Sequence, residues 1–212
     1  LVGGKVHFIL GNHEIMNLSG IDKYVQEKYK GNASRIGKRY TELYDSNSEL
    51  GRWLRTKNIM ERIGDLLFVH GGISKEVSDL SLSIEQINTL ARNYYDRDSI
   101  AESADDEKVR LLYDTKLSPF WHRSYYLAEE KKTVRQGDTL RKTPVNVIDS
   151  ALHRFNVSKI ITGHTIVADT ISAHYDGKVI NTDTRHAKGK SEALLIGNDE
   201  FYRVNNNGEK TV

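Results

Sequence analysis

At three places in this chain a histidine sits within two residues of a glycine directly after an apolar run. Gly11-Asn12-His13-Glu14 follows Val6–Leu10, His70-Gly71-Gly72 follows Leu66–Val69, and Gly163-His164-Thr165 follows Lys159–Thr162. Side chains of these types ligate metals or move protons, an odd load for the end of a buried strand. Glycine lets the backbone turn sharply there, so the polar side chains are expected at the carboxyl edge of a sheet, where open α/β sheets bind ligands. Parallel neighbouring strands would bring Asn12, His70 and His164 together although they lie far apart in the chain. Two imidazole nitrogens and one amide oxygen suit Zn²⁺, Mn²⁺ or Fe.

Those strand ends need elements to hold them. Ile15–Lys57 is polar and rich in Tyr, Lys and Glu, and reads as helices over one sheet face, most clearly where Leu50, Trp53 and Leu54 recur at helical spacing. Ile59–Ile63 and Leu66–Val69 read as a hairpin about Gly64-Asp65. Ser83 with Gln86 three residues later forms a capping box, so a helix is expected from Ile84 towards Asp96. Ser118–Tyr126, SPFWHRSYY, reads as an ordered aromatic loop. Thr143 as N-cap and Pro144 at the first position predict a further helix, with Val145, Ile148, Ala151, Leu152 and Phe155 on its apolar face. From Ile171 onward short strands alternate with turns at Asp176-Gly177 and Gly197-Asn198-Asp199, the pattern of a β-meander.

Length and composition bound the rest. The 212 residues fit one domain, residues 1–212, with a sizeable core. Thirty-one Lys and Arg against 29 Asp and Glu leave a formal charge of +2, and the basic residues are dispersed. That is no nucleic-acid footprint. No apolar run approaches the roughly 20 residues of a membrane span. Absence of cysteine excludes disulfides and thiol catalysis. The chain begins Leu-Val-Gly-Gly-Lys and reads as the later part of a longer protein, which leaves cytoplasm and periplasm both open.

GNHE after a strand, then FVHGGI, then ITGHT, in that order, resembles the later half of the calcineurin-like metallophosphoesterases of the phosphoprotein-phosphatase type. The segment ELGRWLRTKNIMERIGDLLFVHGGIS and the WHRSYY loop are similar to the bacterial Shewanella-like branch. The resemblance covers about Gly4 to Val204. It implies an α/β fold, a mixed β-sandwich flanked by helices, with two metal ions (Mn, Fe or Zn) roughly 3.5–4 Å apart clamping a phosphate ester for in-line attack by water. Carried over by match, Asn12, His70 and His164 become ligands of the second metal, and His13 the group that holds phosphate and protonates the leaving alkoxide. An imidazolium near neutral pH suits that task. Arg123 matches an arginine that clamps phosphate oxygens with its guanidinium fork. Glu14 is expected to orient its loop, Asp183 and His186 to lie near the metals, and His122 to be a loop residue. His7, His153 and His174 read as structural or surface residues.

The resemblance also implies two motifs ahead of GNHE, G-D-x-H-G and G-D-x-x-D-R-G, that supply the first metal's ligands and the bridging carboxylate. Neither occurs in this sequence, so those ligands and the first strands of the sheet are expected upstream of it, leaving an exposed sheet edge. The implied activity is that of a metal-dependent phosphomonoester hydrolase, a serine/threonine protein phosphatase, acting on a phosphoprotein or a small phosphoester. Hydrolysis of dinucleoside polyphosphates or other phosphodiesters is the enzymatic alternative. A non-catalytic phosphate- or partner-binding module is the alternative from another class. Substrate choice would fall to Ile15–Lys57 and Ile100–Lys142.

Overall fold

The computed structural model describes residues 3–96, 104–127, 133–135 and 138–211. Its strands are β1 (Met60–Ile63), β2 (Leu66–Val69), β3 (Thr133–Arg135), β4 (Asp138–Leu140), β5 (Lys159–Thr162), β6 (Ser172–His174), β7 (Val179–Asn181), β8 (Glu192–Gly197), β9 (Glu200–Asn205) and β10 (Lys210–Thr211). The main sheet runs β1-β2-β5-β7-β6, with β2, β5 and β7 parallel and the two outer strands antiparallel to their neighbours. A second sheet, β10-β9-β8, is antiparallel throughout.

Alternation along the parallel strands sorts side chains between two cores. Leu67, Val69, Ile160 and Val179 face the helices Ile84–Arg92 and Val145–Phe155, joining Ile87, Ala91, Ile148, Ala151 and Leu152. Phe68, Ile161 and Ile180 face the other way and meet Leu194 and Phe201 of the second sheet. The result is a mixed α/β molecule with helices over one face of the main sheet and a small sheet over the other. Among the described residues no helix is long and apolar enough to cross a membrane.

Most elements lie where the residue pattern puts them. Ile63 pairs with Leu66, so Gly64-Asp65 is a two-residue hairpin turn, with Gly64 at φ +62°. The Ser83 hydroxyl accepts from Gln86 N–H and the Gln86 side chain accepts from Ser83 N–H, starting the helix Ile84–Arg92. Asn198 and Asp199, both at positive φ, close the β8–β9 hairpin.

Four expectations change. Val6–Leu10 is not a strand: its pairing is one parallel bridge between Ile9 and Asn58, with Leu10 N–H on Asn58 C=O. With that single partner Val6 stays 92% exposed. Pro144, not Thr143, is the N-cap of Val145–Phe155, and Val145 is half exposed. Thr143 instead gives its N–H to Ser124 C=O, which ties the helix to the aromatic loop. In Glu49–Arg55 only Leu54 reaches the core, while Leu50 and Trp53 are 41% and 42% exposed. The expected meander is divided, β6 and β7 completing the main sheet and β8–β10 forming the second. The stretch Ile100–Lys142 lies partly outside the described residues, as do Leu1, Val2 and Val212.

Candidate active site

The parallel pairing of β2 with β5 sets His70 and His164 side by side at the carboxyl ends of neighbouring strands. Asn12 arrives on the first turn of the helix Asn12–Leu18, whose N-cap is Gly11. Glu14 caps its own helix, its carboxylate accepting the Gly11 N–H at 2.9 Å. Gly11 has to be glycine for a second reason. A Cβ there would stand 2.8 Å from the His70 ring.

Three atoms converge. His70 Nε2 lies 2.8 Å from Asn12 Oδ1 and 3.1 Å from His164 Nδ1, and His164 Nδ1 lies 3.1 Å from Asn12 Oδ1. Such a triangle cannot be satisfied by hydrogen bonds. The amide oxygen has no proton to give and each imidazole nitrogen has at most one, so one edge always joins two lone pairs or crowds two hydrogens. A cation removes the conflict, because all three atoms can then present lone pairs to it. The edges also suit one ion: donors at right angles and roughly 2.1 Å from a metal are about 3 Å apart. Burial keeps both rings neutral, as a metal ligand must be. The His70 pKa is held down to about 4 by burial, with help from the charges of His13 and Arg123. Burial, then Arg123, holds His164 to about 2. The donor set fits one metal ion, which Asn12, His70 and His164 could hold. Among the described residues no three His, Cys, Asp or Glu side chains gather in this way, the third corner here being an amide.

Around the triangle is an open cleft of about 640 Å³. His13 lies on its wall with an exposed ring, 5.5 Å from the ring of Tyr24. Arg123 enters from the aromatic loop, its Nη1 donating to His164 C=O at 2.9 Å and to Thr165 Oγ1 at 3.3 Å. Trp121 sets its ring edge-on to His164 at 5.5 Å. His164 itself sits at φ +66°, with its ring against the Trp121 backbone. Asp183 and His186 close the far side. Burial raises the Asp183 carboxyl pKa against the pull of His186 and Arg123. The Arg123 guanidinium, together with any cation the triangle held, would outweigh the one carboxylate and suit the cleft to an anion.

All five residues nominated from the sequence, Asn12, His13, His70, Arg123 and His164, therefore line one cleft. Tyr24 and Trp121 line it too and were not nominated. Tyr24 lies in a polar stretch with no motif, and Trp121 reads as loop packing. His122 points away, buried between Tyr125 and Thr143.

Known proteins share this arrangement of chain. A family model described as calcineurin-like phosphoesterase matches residues 1–168. A solved structure described as a cold-active protein-tyrosine phosphatase of a psychrophilic Shewanella species superposes with a TM-score of 0.83 at 32% identity, covering 99% of this chain and 59% of its own. A second structure of a cold-active protein tyrosine phosphatase gives 0.84 and 32%, covering 99% and 57%. An uncharacterised protein of Acanthamoeba polyphaga mimivirus is 26% identical over 181 residues, 77% of this chain and 70% of its own length. The chain thus spans a little under three fifths of the solved structures it matches.

Proposed function

The chain belongs to the calcineurin-like phosphoesterase family, and from that membership we propose that it is a metal-dependent phosphomonoester hydrolase acting on phosphorylated protein side chains. The observation that carries this reading is the frustrated triangle of Asn12, His70 and His164, set in one cleft with an exposed imidazole and a guanidinium. A metal held there supplies Lewis-acid polarisation of a phosphoryl oxygen, and a dinuclear Mn, Fe or Zn pair is the form the family resemblance implies. Arg123 binds and orients phosphoryl oxygens through its N–H groups. His13 in its protonated form donates to the oxygen of the breaking P–O bond, so that the product leaves as an alcohol rather than an alkoxide. Asn12 contributes an oxygen that carries no proton, and its hold is therefore insensitive to pH.

Phosphoserine and phosphothreonine are the substrates implied by the motif pattern. Phosphotyrosine is a second reading, favoured by the naming of the solved relatives as tyrosine phosphatases and by the Tyr24 and Trp121 rings on the cleft wall. The test is kcat/KM with added Mn²⁺ on matched phosphoserine, phosphothreonine and phosphotyrosine peptides, alongside a dinucleoside polyphosphate and a phosphodiester. Hydrolysis of the monoesters that disappears in His13→Ala supports the proposal. Preference for the diester or the dinucleotide would replace it.

A further inference from the structure

Arg123 does something in this structure that a phosphate clamp need not do. Its Nη1 grips the backbone carbonyl of His164 at 2.9 Å and reaches Thr165 Oγ1 at 3.3 Å. His164 needs holding. It is a non-glycine residue in the left-handed region, at φ +66°, a strained conformation that persists only when its surroundings over-determine it. Its neighbours supply the other half of the grip. Gly163 N–H donates to His70 C=O at 2.9 Å, and Asn181 Nδ2 donates to Thr165 C=O at 2.7 Å, so the carbonyls of residues 164 and 165 are each tied from a different element.

We propose that Arg123 is a positioning residue for the metal ligand His164, latching its strained backbone so that Nδ1 stays in the triangle, in addition to meeting phosphate. The inference rests on the reading of Asn12, His70 and His164 as ligands. One side chain then bonds to the backbone of a ligand and to the substrate, and metal and phosphate binding are coupled through it. Linkage makes that coupling reciprocal: phosphate that orders Arg123 tightens metal binding, and metal tightens phosphate binding by the same factor.

The sign of one measurement separates the latch from a clamp. A guanidinium beside a cation site repels the cation, so deleting a residue that only clamps phosphate leaves metal affinity unchanged or improves it. Deleting a latch weakens it, by the roughly 10- to 100-fold that loss of a ligand-orienting contact typically costs. Mn²⁺ and Co²⁺ would be titrated by calorimetry, without phosphate, into wild type, Arg123→Ala, Arg123→Lys and His70→Ala, with the metal-free unfolding midpoint recorded for each. Weaker binding in both Arg123 variants, with folded metal-free protein, supports the latch. Lys keeps the charge and loses the planar fork, so it is expected to fall with Ala. Unchanged or tighter binding in Arg123→Ala overturns the latch. Equal binding in wild type and His70→Ala, or none in wild type, overturns instead the ligand assignment on which it rests.

Discussion

His13 differs from the two histidines of the triangle in being exposed, on the first turn of its helix and against Tyr24. That placement suits proton delivery more than ligation. His13→Ala is expected to lower kcat by roughly 10²- to 10⁴-fold while leaving metal affinity intact. The loss should be greater for an alkyl phosphate than for p-nitrophenyl phosphate, whose leaving group needs little protonation. Equal losses on the two substrates would assign His13 to binding. Asn12, His13, His70 and His164 were legible because each stands where an apolar run breaks at glycine, and few other demands on the chain produce that juxtaposition. Arg123 was legible only through its motif. Tyr24 and Trp121 were not legible, since an aromatic residue in a polar or loop stretch has the same local signature whether it packs, stacks or lines a cleft.

At the scale of elements, the aromatic loop from Pro119 to Tyr126 joins the two histidine-bearing strand ends. Pro119 C=O accepts Gly71 N–H at 2.7 Å, and the buried Tyr125 hydroxyl bonds both Ile73 N–H and C=O, at 2.9 and 2.8 Å. On the other strand end, the Tyr126 hydroxyl meets Thr162 Oγ1. Gly72, at φ +148°, lets this happen: a Cβ there would stand 2.9 Å from the His122 and Tyr125 rings. Tyr125→Phe removes the partner of a buried N–H and is expected to cost about 1–3 kcal/mol in urea unfolding. Gly11→Ala drives a methyl into the His70 ring and should weaken Mn²⁺ binding more than it lowers stability, as calorimetry beside urea melts would show. Helices and hairpins with local signals, such as the Ser83–Gln86 box and the Gly64-Asp65 turn, were readable in the sequence. Val6–Leu10 failed because an apolar run states a propensity, whereas a strand also needs neighbours, and among the described residues this one pairs only at Ile9. Division of the final strands between two sheets failed for the same reason, since turn signals do not name the partner of a strand.

Over the whole molecule, buried neutral histidines tie stability to pH. His122 is 3% exposed, with its pKa held down to about 4 by burial, and His70 is held to a similar value in the metal-free protein. Above pH 6.5 neither folded nor unfolded chain protonates these rings, so they add no pH dependence. Between 6.5 and 4 the unfolded chain takes up their protons and the folded chain does not, so stability falls as pH falls, by about 1.4 kcal/mol per pH unit for each ring. His122 alone then amounts to a loss of at most about 3 kcal/mol by pH 4. Asp183 opposes this: its raised pKa means the folded chain holds that proton at pH values where the unfolded chain has lost it, so it favours folding as pH falls. Two or more histidines outweigh one carboxyl, and urea midpoints are expected to drop from pH 7 to pH 4.5, less steeply in His122→Asn. Saturating Mn²⁺ at 100 times its dissociation constant is expected to add about 2.7 kcal/mol at pH 7, and the increment should hold until the pH nears 4, where protons begin to compete for His70 in the folded chain. His122 lies outside the triangle, so its share of the slope should be the same with and without Mn²⁺. A slope at His122 that vanished with metal would mean that this ring, too, responds to the site.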